Sequence, residues 1–75
     1  WRSSKYRFTN KPLQEFIDFI NRSYHVNIII KEEKLKKLKF NGTIHKDEPL
    51  TNIIEKICIS LDLKEKQENN DIILY

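Results

Sequence analysis

The 75-residue sequence contains few of the residues that break, bend or cross-link a chain. It contains one glycine, two prolines, one cysteine and no methionine. The single cysteine, Cys58, excludes an internal disulfide, and the single glycine excludes a glycine-rich phosphate-binding loop. No apolar run approaches the roughly 18 residues of a transmembrane helix, and no signal peptide is recognisable. These absences leave one small domain, which buries only about 60% of its unfolded surface. Because the chain opens on Trp1 rather than Met, we expect it to be a fragment of a longer protein.

The composition is that of a folded domain with a basic balance. The chain is 39% hydrophobic and 33% charged, with a net charge of +3, so it is too apolar for disorder and too charged for a membrane protein. Much of the positive charge lies in residues 31–39, which include two glutamates and no aromatic residue. A nucleic-acid-binding run would have aromatic neighbours or lie on a recognition helix. We therefore interpret this run as a solvated connector, pinned by Leu35 and Leu38 through one short helical turn.

The apolar residues of residues 12–24 predict an amphipathic helix. They recur in steps of three and four and so form one stripe: Leu13, Phe16, Ile17, Ile20 and Tyr24. Proline is tolerated in a first helical turn. The helix is therefore expected to begin at about Pro12, with Asn10 as its cap, and to end near Ser23 or Tyr24.

A second helix repeats this pattern 37 residues later. Asp47 is its expected cap, and Pro49 falls on Pro12 when the two segments are superposed. Its apolar stripe has the same spacing and comprises Leu50, Ile53, Ile54, Ile57, Cys58 and Leu61. Two copies are too few to stack as a solenoid. The sequence thus predicts a compact domain with two-fold pseudo-symmetry.

Short alternating segments predict a strand before and after each helix, and one more at the end of the chain. The five segments are residues 5–9, 26–30, 38–45, 62–68 and 72–75. The fourth is strongly charged and reads as an edge strand, where charge discourages aggregation. It is expected to pair with the last strand through a turn at residues 69–71.

The dipeptide Asn41-Gly42 allows two interpretations. It is a strong hairpin signal, but a glycine inside a strand can also mark a bulge or a close backbone approach. The repeat requires a strand here, so we favour the second. The predicted fold is α+β, of order βαββαβ(β), with two helices on one face of a small mixed sheet of three to five strands.

We expect a single domain with four parts. Residues 1–4 are a linker from a preceding domain, and residues 5–30 are the first strand–helix–strand unit. Residues 31–37 are the connector, and residues 38–75 are the second unit with its closing strand.

No pattern in the sequence points to catalysis or to a cofactor. His25, His45 and Cys58 are three potential metal ligands, but no pair has the close spacing of common zinc motifs. We expect both histidines in solvent. Cys58 lies in an apolar helical run and reads as a small core residue, since a reactive thiol requires a positive, partly exposed setting. The carboxylates lie on helix backs and loops without apolar pockets that would raise their pKa. We therefore predict no enzyme, no cofactor and no metal.

Several segments together resemble one family. Residues 8–13 (F-T-N-K-P-L) and 22–26 (R-S-Y-H-V) resemble the entry and exit of the first helix in the C-terminal domain of FecR-type anti-sigma regulators. That family has an F-x-N-x-P-L entry and an aromatic–Gly–Val turn. Residues 40–44, 47–50 and 72–75 resemble its later glycine block, its second helix start and its closing strand.

The resemblance covers nearly the whole chain. Trp1 stands where the family has a tryptophan leading out of the preceding FecR domain. His25 departs from the usual glycine, which concerns the backbone angle of that turn. Pro49 stands where the family often has a small residue. The fold implied is similar to the short N-terminal domains of secretins and TonB-dependent transducers.

The resemblance also implies a function. The parent protein would have a cytoplasmic sigma-binding segment, one transmembrane helix and a periplasmic portion ending in this soluble domain. The partner would be the N-terminal signalling domain of a TonB-dependent outer-membrane transporter, and the output would be control of an extracytoplasmic-function sigma factor. No nucleic-acid partner is implied.

Three residues are candidates for partner binding. If both helices cover one sheet face, Ile29, Ile73 and Tyr75 point to the other. They could equally complete a thin core or meet a neighbouring domain. An edge strand could also accept a strand from a partner. Two other functions stay open, a small basic nucleic-acid-binding module and a structural or oligomerising domain.

Overall fold

The computed structural model describes residues 5–45 and 47–75 of the chain. Residues 1–4, the predicted linker that includes Trp1, lie outside the described residues. The elements in chain order are β1 (Lys5–Pro12), α1 (Leu13–Tyr24), β2 (Asn27–Ile30), α2 (Glu33–Lys36), β3 (Lys39–His45), α3 (Leu50–Leu61), β4 (Glu65–Glu68) and β5 (Asp71–Leu74).

The predicted α+β class is confirmed, and the strands divide into two sheets. β1 and β3 form an antiparallel pair, and the other sheet has the order β2-β5-β4. In that sheet β2 runs parallel to β5, and β4 pairs antiparallel with β5 as the predicted closing hairpin. The single sheet predicted from the sequence is therefore wrong. Alternation identifies a strand and its inner face, but it does not specify which strands share hydrogen bonds.

One hydrophobic core lies between these elements. α1 contributes its predicted stripe, and all of the predicted inner faces are represented. The buried residues are Phe8, Leu13, Phe16, Ile17, Ile20, Ile28, Ile30, Phe40, Ile44, Ile53, Ile54, Ile57, Ile72 and Leu74. The charged connector has only a four-residue helix, α2, whose Leu35 packs against the core.

The two long helices have the same boundaries after a shift of 37 residues. Pro12 precedes α1 with φ −58° and ψ 140°, and Pro49 precedes α3 with φ −63° and ψ 142°. His25 ends α1 at φ 55° and ψ 48°, and Asp62 ends α3 at φ 56° and ψ 48°. A left-handed residue after the last turn is a common helix stop. The pseudo-symmetry therefore extends to the backbone of the caps.

The two predicted side-chain caps are wrong. Asn10 has a left-handed φ of 52° within an irregularity of β1 between Phe8 and Lys11, and its N–H donates to Asn41 Oδ1 at 2.7 Å. Asp47 also has a positive φ, 68°. In each case the proline directly before the helix takes the cap position, without a side-chain cap bond.

Gly42 lies inside β3, as the repeat required. A Cβ atom added at Gly42 would collide with the ring of Phe40, so the glycine permits a close approach of this ring. Leu38, the first residue of the predicted third strand and an expected anchor of the connector, is 38% exposed and lies before β3. Its carbonyl instead accepts the N–H of Leu13 at 2.8 Å.

Candidate functional site

The outer face of the three-stranded sheet brings together the three predicted partner-binding residues. Because successive side chains of a strand alternate between faces, burial of Ile28, Ile30, Ile72 and Leu74 on the inner side sends their neighbours outward. Ile29 and Ile73 lie side by side in the parallel register of β2 and β5. Tyr75 follows Ile73 by two residues on the same face. Ile29 and Tyr75 are each 38% exposed, and Ile73 is half-buried.

Two lysines flank the aromatic ring on this face. Lys31 Nζ lies 5.8 Å and Lys66 Nζ lies 5.7 Å from the centroid of the Tyr75 ring, within the range of a cation–π contact. Lys66 is also the cross-strand neighbour of Ile73. Lys66 Nζ lies 2.9 Å from Glu68 Oε2, and this hydrogen bond raises the pKa of Lys66. The lysine is therefore charged at neutral pH.

The far end of the outer face is polar. Asn27 Nδ2 donates to Asp71 Oδ1 at 2.8 Å across the paired strands, and Glu68 is the cross-strand neighbour of Asp71. The outer face thus grades from acidic and amide groups, through two isoleucines, to a tyrosine between two lysines. Such a surface combines apolar contact area with a charge that orients a partner.

The two lysines of this face were not among the predicted site residues. Lys31 follows Ile29 by two residues, so strand alternation alone assigns it to the outer side. Lys66 had no comparable signal, because its position beside Ile73 depends on the register of the closing hairpin.

A second concave surface lies at Gly42, between the β1–β3 pair and one side of α3. We call it the Gly42 groove; its volume is about 380 Å³. It is lined by Arg7, Phe8, Thr9, Phe16, Phe40, Asn41, Gly42, Thr43, His45, Ile53, Lys56 and Ser60. The apolar members belong to the core and form its floor, whereas Arg7, His45 and Lys56 are exposed.

Glu48 lies at one end of this groove and forms an ion pair with Lys56, one of the residues that line it. Its carboxylate accepts the N–H of His45 at 3.0 Å and lies 2.5 Å from Lys56 Nζ. Burial of the side chain, which is 7% exposed, raises the pKa of Glu48, but the hydrogen bonds from Lys56 and from the His45 N–H outweigh it. The net pKa is lowered, so this carboxylate is charged at neutral pH.

Tyr24 joins the same region to α1. Its hydroxyl donates to the carbonyl of Glu48 at 2.7 Å. Burial raises the pKa of Tyr24, and the charges of Glu48 and Asp47 raise it further. The phenol therefore stays protonated and links the last turn of α1 to the entry of α3.

The other candidate residues do not come together. Within residues 5–45 and 47–75, no three His, Cys, Asp or Glu side chains are grouped as metal ligands. Cys58 is half-buried against the core, and burial raises the pKa of its thiol. His25 and His45 are exposed, as expected. None of the described helices is long and apolar enough to cross a membrane.

The elements and surfaces define a small α+β domain built from two strand–helix–strand units. The model of the FecR C-terminal family matches residues 5–74. The chain therefore belongs to this family, whose domains are parts of anti-sigma regulators.

Solved structures show the same fold. Two crystal structures of a proposed anti-sigma factor from Parabacteroides distasonis ATCC 8503 superpose with a TM-score of 0.84 at 21% sequence identity. The superposition covers 100% of this chain and 35% of that protein, so the chain spans about a third of its length. At this identity the likeness shows the fold alone. No curated protein sequence matches the chain.

Proposed function

We propose that this domain is the periplasmic sensor of a transmembrane anti-sigma regulator. In this role it receives a signal from the N-terminal signalling domain of a TonB-dependent outer-membrane transporter. Other parts of the parent chain then control an extracytoplasmic-function sigma factor. Family membership over residues 5–74 supports the regulatory role. The observation that carries the binding role is the apolar row of Ile29, Ile73 and Tyr75 on the outer face, where Ile29 and Tyr75 are exposed.

This row has the features of a protein-binding surface. Ile29 and Ile73 are adjacent in the sheet, so they offer one continuous apolar strip rather than scattered residues. Tyrosine is enriched among the residues that contribute most to binding energy, because its ring buries much area with few rotatable bonds. Lys31 and Lys66 flank that ring and favour an acidic partner surface.

A titration with the signalling domain of the transporter encoded beside the parent gene tests this function. Calorimetry should detect binding, and Tyr75→Ala should weaken it by about a hundredfold, the scale of a binding hot spot near 2–3 kcal/mol. Ile29→Ala should weaken it by about tenfold. Leu38→Ala is the matched control, because Leu38 has the same 38% exposure as Ile29 and lies next to the other sheet.

Two outcomes would count against the proposal. Undetectable binding of the unmodified domain would remove the transporter as partner. An equal loss for Leu38→Ala would show that the outer face is not the contact surface. In the second case the sensor role would stand with a different site.

The net positive charge makes nucleic-acid binding a second candidate function. Lys31 and Lys66 stand beside an exposed aromatic ring, an arrangement that single-stranded nucleic acids also use. Binding to random oligonucleotides would then weaken steeply as salt is raised, because phosphate contacts release counterions. Absence of binding at low salt would exclude this function, and sedimentation of the domain would test self-association as a structural role.

A further inference from the structure

The free edge of β3 lies apart from the outer face of the three-stranded sheet. Among the described residues β3 pairs with β1 alone, so its other edge carries backbone groups without a strand partner. In an antiparallel pair both backbone groups of a residue point to the same side, and the side alternates along the strand. The direction of each residue of β3 can therefore be assigned from a few hydrogen bonds.

The hydrogen bonds of His45 and Leu38 show in which direction the backbone groups of β3 point. The N–H of His45 donates to Glu48 Oε1 at 3.0 Å, and its carbonyl accepts the Glu48 N–H at 3.0 Å, so both groups point away from β1. The carbonyl of Leu38 accepts the N–H of Leu13 and so points toward the β1 side. The odd-numbered residues Asn41 and Thr43 consequently present their N–H and C=O groups at the free edge.

The Gly42 groove runs beside this edge. Asn41, Thr43 and His45 all line it, and Ile53, Lys56 and Ser60 of α3 line it from the other side. Residues three and four apart lie on one side of a helix, so these α3 residues form one wall. A segment lying there would have backbone groups of β3 on one side and the helix wall on the other.

The charged side chains that line the groove are basic, and one carboxylate, that of Glu48, lies at its end. Arg7 and Lys56 are its basic lining residues, and none of the lining residues is Asp or Glu. Arg7 lies directly across from Thr43 in the β1–β3 register. Lys56 is held by Glu48, which closes the groove at His45. The remaining positive charge favours an acidic occupant.

We propose that this edge binds an extended acidic segment of a partner protein as an added strand. The segment pairs with the backbone of Asn41 and Thr43, the geometry of β-strand addition. Its alternate side chains lie on the apolar floor beside Phe40 and Ile53, and a carboxylate approaches Arg7. This surface lies on the other sheet from the outer face, so the inference goes beyond the proposed function and does not depend on the transporter.

A display library of random peptides about ten residues long, the upper length of common strands, is the probe. Panning against the 75-residue chain should enrich sequences that alternate apolar and polar residues and carry Asp or Glu. In the bound state the amide protons of Asn41 and Thr43 should gain at least about tenfold protection from hydrogen exchange. N-methylation of the peptide at the residues that pair with them should abolish binding, since it removes the donors.

Charge variants provide the matched control. Arg7→Glu should weaken the enriched peptides by about tenfold or more, whereas Lys34→Glu, an equivalent change at an exposed position of α2, should leave affinity unchanged. The proposal is overturned if no peptide is enriched, if the enriched peptides are basic, or if N-methylated peptides bind equally well. Equal losses in both charge variants would overturn it as well.

Discussion

The two strand–helix–strand halves share their helices and differ in what surrounds them. α1 and α3 have 12 residues each, and both lie between a proline and a left-handed residue. Carbonyls at equivalent positions, Asn21 and Cys58, accept two N–H groups just after each helix. The helix and its two ends are thus what the two halves share, whereas the residues around the helix differ.

The interior of the two halves differs in chemistry. α1 packs into a cluster of aromatic rings of its own half, with centroids 4.8 Å apart for Phe8 and Phe16 and 5.2 Å apart for Phe8 and Phe19. The buried residues of α3 are three isoleucines. Aromatic pairs add about 0.5–1.5 kcal/mol beyond the area they bury. The first half should therefore contribute more to stability per residue.

The exit strands differ even more. β2 carries the sequence N-I-I-I and has two buried residues, whereas β4 carries E-K-Q-E and is exposed throughout. Both are edges of the same sheet. The charges of β4 discourage pairing with other chains, while β2 supplies core contacts on one side and Ile29 on the other. The exit strand of the first half thus contributes to the core, whereas the exit strand of the second half protects the edge of the sheet.

The largest difference between the halves should appear at Phe16 and Ile53, which are equivalent and both buried. Phe16→Ala should cost about 3–5 kcal/mol and Ile53→Ala about 2–4 kcal/mol, from lost burial and the cavity left behind. A chain of this size is stable by about 4–11 kcal/mol, so Phe16→Ala should lie close to unfolding. Urea denaturation followed by circular dichroism measures both. A larger loss at Ile53 would reverse the assignment of the stronger half.

The next effect concerns Asn21 and Cys58, which are equivalent helix positions with different partners. The Asn21 side chain accepts the N–H of Ile28 at 2.8 Å and donates to its carbonyl at 3.2 Å, so it fastens the edge of β2 to α1. Asn21→Ala should cost about 1–3 kcal/mol, since it leaves part-buried backbone groups without a partner. Cys58→Ala should cost less, because it removes only a half-buried thiol. Hydrogen exchange at the Ile28 amide should rise in the first variant alone.

Much of the core could be predicted from apolar spacing. The stripes of α1 and α3 and the inner faces of β2 and β5 follow from periods of 3.6 and 2, which depend on the sequence alone. The closing turn also has a local cause, because Asn69 takes a left-handed φ of 57°, which asparagine tolerates. Local sequence patterns thus predict those features whose physical cause lies in neighbouring residues.

The rest depends on contacts between distant residues. Asn10 has the residue type of a helix cap and lies two residues before a proline, but its N–H donates to the side chain of Asn41, 31 residues away. Likewise, the division into two sheets and the place of Lys66 beside Ile73 follow from strand pairing. The candidate face was predicted through Ile29, Ile73 and Tyr75, whereas the Gly42 groove was not, because it needs both the free edge of β3 and the wall of α3.

A smaller effect distinguishes the approaches to the two helices. The position before each helix proline is Lys11 in the first half and Glu48 in the second, and only Glu48 forms the bonds to His45 and Lys56. A lowered folded-state pKa means that Glu48 stabilises the fold fully above its unfolded pKa, near 4.5. This contribution is lost as pH falls through the lowered folded value.

Glu48→Gln should therefore cost about 0.5–1.5 kcal/mol at pH 7, the net contribution of one hydrogen bond, because the amide keeps one acceptor oxygen. The difference from the unmodified domain should shrink below about pH 4.5. Thermal melts from pH 7 to pH 3 measure it. Glu55→Gln, at an exposed position of α3, is the control. A difference that stays constant with pH would show that shape rather than charge is responsible.

The smallest effect lies at the two left-handed helix stops, His25 and Asp62, which have nearly the same φ and ψ. A non-glycine residue there costs about 1–2 kcal/mol, and glycine relieves this cost but loses more conformational entropy on folding. His25→Gly should therefore stabilise the domain by about 0.5–1 kcal/mol. Asp62→Gly should gain less, because aspartate tolerates this conformation through local hydrogen bonds. Urea midpoints of the two variants decide the order; a loss of stability at His25 would mean that its imidazole makes a contact worth more than the strain it carries.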